Sequence, residues 1–247
     1  FDPARVELTV KIALRDAAEA SKRSDAEEPE KWHGPGNEDK SAGSHETGRF
    51  VKTGYEAFDG MLGGGIRLPS FIFVEGDLSA GKGVLCQHIA YEALLENHGV
   101  TYFASDSSPK HIVSQMSSIG MPVADLIKGK LLQVTRMQQP VFGDRCDWSV
   151  SPERLMISLI EDLHLLPTQR DIIILDDISD MMRYGEETNV LHMVTECRRL
   201  CDEGVSIIVI AQSHAVDRRR RDHIHALCDV HISLDAGSVR GEKVIQL

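Results

Sequence analysis

From about residue 71 onward, short continuous aliphatic runs alternate with longer stretches in which apolar residues recur every three or four positions. Unbroken apolar runs bounded by turn residues suit strands buried on both faces, and the longer periodicity suits amphipathic helices. The pattern predicts strands over Phe71 to Glu75, Val100 to Ser105, Leu131 to Thr135, Asp171 to Leu175, Val205 to Ala211 and Val230 to Leu234, with another over Lys243 to Leu247. Helices are predicted over Gly83 to Asn97, Pro109 to Ile119, Pro152 to Leu165 and Glu187 to Glu203. Strand and helix taken in turn are the sign of an α/β fold, a mostly parallel central sheet with helices on both faces. Arg136 to Ser149, rich in Gln, Pro and Gly, reads as irregular, and no internal repeat is visible.

The first part of the chain is different. Val6, Leu8, Val10, Ile12, Leu14 and Ala17 stand among charged and alanine positions, a pattern that leaves both a short strand and a helix open for residues 1–20. From Ser21 to Thr47 aliphatic residues give way to Glu, Asp, Lys, Ser, Gly and Pro, so this stretch has little to bury. The organisation expected is an N-terminal helix or strand segment over 1–20, an acidic flexible linker over 21–48 and one α/β domain over 49–247.

Composition narrows the function. A chain of 247 residues with 42% apolar side chains buries one sizeable core, which excludes a disordered or fibrous protein. Its 38 acidic against 27 basic residues leave a net charge of −11, so the electrostatic footprint of a nucleic-acid or anionic-membrane binder is missing and no nucleic-acid partner is expected. Apolar runs such as Val205 to Ala211 are far shorter than the roughly 20 residues that span a bilayer. Phe1 to Lys11 carries no signal-peptide core, and a cytoplasmic location is expected. Five scattered cysteines, Cys86, Cys146, Cys197, Cys201 and Cys228, form no disulfide framework. Cys197 and Cys201, with His192 and His214 near in sequence, suggest a metal site on paper. No CxxC or HxxxH pair completes a tetrahedral set, and packing is the reading preferred.

The chemistry lies between the strand Phe71 to Glu75 and the helix that follows. Gly76, Asp77, Leu78, Ser79, Ala80, Gly81, Lys82 and Gly83 match the phosphate-binding pattern GxxxxGK in its required strand, loop, helix context. The glycines let successive backbone N–H groups turn toward one anion, and the positive end of the helix dipole adds to the attraction. ATP is expected along the backbone of residues 76–84, through Val84, with Lys82 reaching the β- and γ-phosphates. The pattern asks next for Ser or Thr, whose hydroxyl binds Mg2+, and Gly83 stands there instead, which puts the metal in question.

Further acids sit where ligands bind in such sheets, at the C-terminal ends of strands. Ile172 to Leu175 ends in Asp176 and Asp177, and Asp176 is the candidate to hold magnesium, directly or through water. Asp177 suits a helix cap or an arginine pair equally well. Asp106, after the strand Val100 to Ser105, is the candidate to orient or deprotonate an attacking water. Capping the helix that begins near Pro109 is its alternative role, one that Ser107 and Ser108 suit as well.

Lys52 to Phe73, reading KTGYEAFDGMLGGGIRLPSFIF, resembles the segment that leads into the phosphate loop in KaiC-like members of the RecA-like ATPase superfamily. Within that branch the chain is similar to the FlaH or ArlH family, the ATPase of the archaellum, or archaeal flagellum. The similarity lies at Pro69-Ser70, Glu75-Gly76-Asp77, Tyr102 to Ser108, Gln115-Met116, Asp176 with Ser179, and Cys228-Asp229-Val230-His231, and it covers roughly residues 50–247. The resemblance implies a RecA-like P-loop fold, ATP as ligand, and nucleotide-dependent assembly into a homo-oligomeric ring. It implies docking to the motor ATPase and membrane-anchored scaffold of the archaellum, in the cytoplasm or at the inner face of the cell membrane, with membrane contact only through those partners. Two departures count. Gly83 replaces the hydroxyl residue, and Asp106 and Ser107 stand where KaiC relatives carry paired catalytic glutamates.

Both departures weaken hydrolysis more than binding. The expected function is therefore an ATP-gated assembly protein with weak or absent hydrolysis. The alternatives are an active signalling ATPase that phosphorylates itself and an interaction module without nucleotide. Arg218 to Arg221 add a run of four positive charges, read as a solvated basic loop, a trans-acting arginine or a DNA contact, with the flanking Asp217 and Asp222 speaking against DNA. Gln212 is read as a γ-phosphate sensor or as a polar turn residue.

Overall fold

The computed structural model describes residues 11–14, 49–105, 107–137, 152–165, 170–239 and 242–246. The predicted linker, the irregular stretch beyond Met137, Cys146 and Asp106 lie outside the described residues. The strands are β1 Lys11–Leu14, β2 Arg49–Val51, β3 Ile66–Leu68, β4 Phe71–Gly76, β5 Val100–Ala104, β6 Leu132–Arg136, β7 Ile172–Asp176, β8 Ser206–Gln212, β9 Val230–Val239 and β10 Glu242–Gln246. The helices are α1 Glu56–Met61, α2 Lys82–Leu95, α3 Pro109–Ser118, α4 Ala124–Lys128, α5 Pro152–Leu165, α6 Ser179–Tyr184, α7 Glu187–Asp202 and α8 Arg218–Leu227.

Six strands run parallel in the order β9-β4-β8-β7-β5-β6, as expected of an α/β chain. Strands β1 and β10 both pair antiparallel with β9. Residues 11–14 are thus strand, and the rest of the segment 1–20 lies outside the described residues. The hydrophobic pattern explains why β4, β5, β7 and β8 are buried along almost their whole length, while the edge strand β6 keeps Gln133 and Arg136 exposed. Side chains alternate across a strand, and both faces are covered.

Ile72, Val74, Val100, Tyr102, Ile172, Ile174, Ile208, Ile210 and Ile232 pack on one side with Leu85, Ile89 and Ala93 of α2 and Met116 of α3. Phe71, Phe73, Phe103, Ile173, Leu175, Ile207 and Val209 pack on the other with Leu159 of α5, Met193 and Cys197 of α7, and Ile224 of α8. Cys86, Cys197, Cys201 and Cys228 are buried in these two clusters, and burial pushes the Cys201 thiol up to about 12 and the Cys197 thiol higher. They are packing residues. Before β4, Asp59 is buried and its carboxylate accepts from the Thr53 N–H at 2.7 Å and hydroxyl at 2.8 Å, which folds α1 onto the domain.

Arg218 to Arg221 differ from the sequence expectation. They open a helix, α8, rather than a loop, because Asp217 caps it, its carboxylate accepting from the Arg220 N–H at 2.9 Å, and Ile224 anchors its inner face. Short helices such as α1, α4 and α6, with one turn or little more, fall below what periodicity detects.

Candidate functional site: a phosphate loop facing a strand-end aspartate

Strand β4 sits between β8 and β9, so the loop after it opens at the C-terminal edge of the sheet. Gly76 ends the strand, and a Cβ there would lie 2.4 Å from the Leu234 carbonyl oxygen, a clash only glycine avoids. Gly81 caps α2 with φ +78°, a conformation glycine adopts freely. Helix α2 has neither a side-chain cap nor an acid in its first turn, whereas α3 and α8 are capped by Ser108 and Asp217. The first bond of α2 runs from Leu85 N–H to Gly81 O at 2.9 Å, which leaves the amides of Lys82, Gly83 and Val84 ahead of the helical ladder. That is an anion-binding helix start.

Lys82 is 6% exposed, and its ammonium donates to the Gly76 and Asp77 carbonyls at 3.1 and 2.7 Å. Burial lowers its pKa, opposed by Asp177, Asp176 and Asp77. Asp176, at the end of β7, faces the loop: a Cβ on Gly83 would stand 3.2 Å from its Oδ2. The same oxygen accepts from the hydroxyl of Tyr102, which is fully buried in β5. Burial first, and then the Asp176 charge, push the Tyr102 phenol well above its ordinary value, so it stays a donor. A cavity of about 460 Å³ is lined by Leu78, Ser79, Gly81, Lys82, Gly83 and Val84 with Ser107, Gln115, Asp176, Asp177 and Gln212.

The structure thus brings the predicted loop residues together with Asp176, and Gly76 and Asp77 lie at the loop's base. Asp177 accepts from the Ser179 N–H at 3.0 Å at the start of α6, and its peptide bond with Asp176 is cis. Gln212 lines the cavity while its N–H donates to Ser179 Oγ at 2.8 Å. Ser108, one of the residues suggested as cap for α3, does cap it, its hydroxyl accepting from the His111 N–H at 3.2 Å. Sequence reasoning named Tyr102 and Gln115 only within the segments that carry the family resemblance and gave neither a role in the site. Tyr102 was legible in part, since strand periodicity assigns it to the α2 face, but its reach to Asp176 depends on the register of β5 against β7.

The arginine run is committed residue by residue. Arg221 donates to Glu75 Oε2 at 3.0 Å and to the Ser213 and Val216 carbonyls at 2.6 and 3.2 Å. Arg220 donates to Met182 O and, at 2.9 Å, to Gly185 O. Arg219 pairs with Glu187 at 3.0 Å.

The parallel sheet, the glycine loop at its C-terminal edge and the aspartate at the end of β7, two strands away, define a RecA-like P-loop domain. The sequence profile described as "ATPase: KaiC" matches residues 51–246, and the chain belongs to this KaiC family of ATPases. Among similar proteins is the archaeal flagellar ATP-binding protein FlaH of Sulfolobus acidocaldarius, 24% identical over 196 residues, or 79% of this chain and 83% of that protein. The protein of the same description from Methanocaldococcus jannaschii is 30% identical over 144 residues, 58% of each chain. The crystal structure of the flagellar accessory protein FlaH from Methanocaldococcus jannaschii superposes with a TM-score of 0.66 at 22% identity, covering 79% of this chain and 84% of that one. Among the described residues no helix is long and apolar enough to cross a membrane.

Proposed function

We propose that this chain is an ATP-binding regulatory protein of the archaellum motor, in which nucleotide occupancy gates assembly and hydrolysis is weak or absent. The observation that carries the nucleotide part is the meeting of Lys82, the uncapped start of α2 and Asp176 around one cavity. The amides of residues 82–84 bind the phosphates, and Lys82 exchanges its contacts with the loop carbonyls for β- and γ-phosphate oxygens. The cavity fits Mg2+ only in part. Asp176 is the carboxylate that would hold the ion, through water as Mg2+ usually allows, while Gly83 contributes no hydroxyl. Asp106, two residues beyond β5 in the sequence, is the proposed water-orienting acid, and its short side chain limits reach.

The archaellum assignment is supported by the FlaH proteins to which the chain is similar. From that likeness come the proposed partners, a motor ATPase and a membrane-anchored scaffold, the homo-oligomeric ring, and a cytoplasmic place at the inner membrane face. Leu78, 78% exposed on the phosphate loop, suits such a ring because a neighbouring subunit would cover it.

Calorimetric titration with ATP, with and without Mg2+, beside a phosphate-release assay tests this reading. ATP binds the wild type and binds Lys82→Ala at least tenfold more weakly; turnover by the wild type is negligible and rises in Gly83→Ser, together with Mg2+ dependence. Vigorous wild-type turnover would point to an active signalling ATPase, and no binding at all to an interaction module without nucleotide.

A further inference from the structure

Glu75 is the residue before the phosphate loop, and on the period of β4 it faces the same side as Phe71 and Phe73, away from α2. It is 6% exposed. Its Oε1 lies 3.1 Å from Nε2 of His231 on β9, and its Oε2 takes the 3.0 Å hydrogen bond from Arg221 on α8. One turn further along α8, His225 brings its ring centroid to 4.1 Å from that of His231. Phe73 stacks under His231 at 5.7 Å with an interplanar angle of 17°, which fixes the plane of that ring. A ring nitrogen from each histidine and a carboxylate oxygen of Glu75 all lie within 4.8 Å of one another.

The contacts of Glu75 with Arg221 and with His231 account for three of these groups and not for His225. The His225 ring makes no side-chain hydrogen bond or ion pair among the described residues. Two imidazoles converging with a carboxylate form a ligand set for borderline dications, which take His nitrogen and carboxylate oxygen in tetrahedral or five-coordinate geometry. Mg2+ and Ca2+ prefer oxygen ligands alone. Arg221, bonded to the other carboxylate oxygen and to two backbone carbonyls, orients Glu75 while its own charge is shared out.

We propose that Glu75, His225 and His231 form a binding site for a divalent cation of the Zn2+ class, with water completing the coordination. The ion would clamp β4, β9 and α8 together at the base of the phosphate loop, on the sheet face away from α2. The site is independent of whether ATP is hydrolysed.

The test uses the full chain in excess Mg2+, titrated with Zn2+ by calorimetry and with Co2+ by visible absorption. One ion binds per chain, and Co2+ gives the intense bands of four- or five-coordinate geometry. His225→Ala and His231→Ala each weaken Zn2+ binding at least about tenfold. His192→Ala, in the surface cluster of His164, His192 and Glu196, and Asp176→Asn, in the nucleotide cavity, leave it unchanged. Weak six-coordinate Co2+ bands, no binding tighter than about 0.1 mM, or equal binding by His225→Ala would each overturn the proposal. Should His231→Ala fail to fold, His225→Ala, at the solvent edge of α8, and the wild-type Co2+ spectrum decide the matter.

Discussion

Gly83 changes what Asp176 touches. In this fold a hydroxyl at that position would point at Asp176, since even a Cβ there stands 3.2 Å from Oδ2. Without it, Tyr102 supplies the hydroxyl that Asp176 accepts from. Tyr102→Phe removes a buried bond to a charged group and is expected to lower stability by about 1.5–3 kcal/mol in urea titration. If a serine at 83 donates to the same carboxylate, the double variant Gly83→Ser, Tyr102→Phe loses less than the sum of the single changes. Strict additivity in that cycle would show that position 83 does not reach Asp176. The glycine was visible in the sequence as a departure from the loop pattern. The tyrosine that answers it was not, because a strand residue's reach depends on the neighbouring strand's register.

At the scale of the element, α8 shows how a charge run misleads. Four adjacent arginines read as one basic block, yet helical geometry turns successive side chains about 100° apart, and they go separate ways. The positive charges sit at the N-terminal end, where the helix dipole opposes them, and the Asp217 cap with the contacts of Arg219, Arg220 and Arg221 offsets this. Arg221→Ala leaves Glu75 without its guanidinium and two carbonyls without their donor, and is expected to cost about 2–4 kcal/mol by denaturant titration. Arg218→Ala, at an exposed position, should stay within about 0.5 kcal/mol. Equal effects from the two would mean that the run acts as a diffuse charge after all.

For the whole molecule, stability rests on two cores separated by one sheet, and pH acts on the joint between the domain and its lead-in segment. The Tyr55 ring packs edge-on against His88 of α2 at 5.1 Å. Burial lowers the His88 pKa below its ordinary 6.5, against the pull of Glu92. A histidine kept neutral by folding contributes nothing to pH dependence above 6.5; as pH falls from there through the lowered value, the unfolded chain takes up a proton that the folded one refuses, and stability drops. Wild type and His88→Gln should therefore differ in pH dependence as pH falls below roughly 6.5, with the variant flatter. Parallel curves would exclude His88 as the cause.

The sequence by itself determined the α/β alternation, the phosphate loop with its glycines and lysine, the strand-end Asp176 and the packing role of the cysteines. These are local patterns, written in periodicities and turn residues over short spans. Tertiary structure alone decided that Tyr102 meets Asp176, that the arginines of α8 part company, and that Glu75 meets a histidine 156 residues away. Such meetings depend on strand order and on the register of parallel neighbours. Crossover helices separate those neighbours in the chain, so no short stretch of sequence encodes the contact.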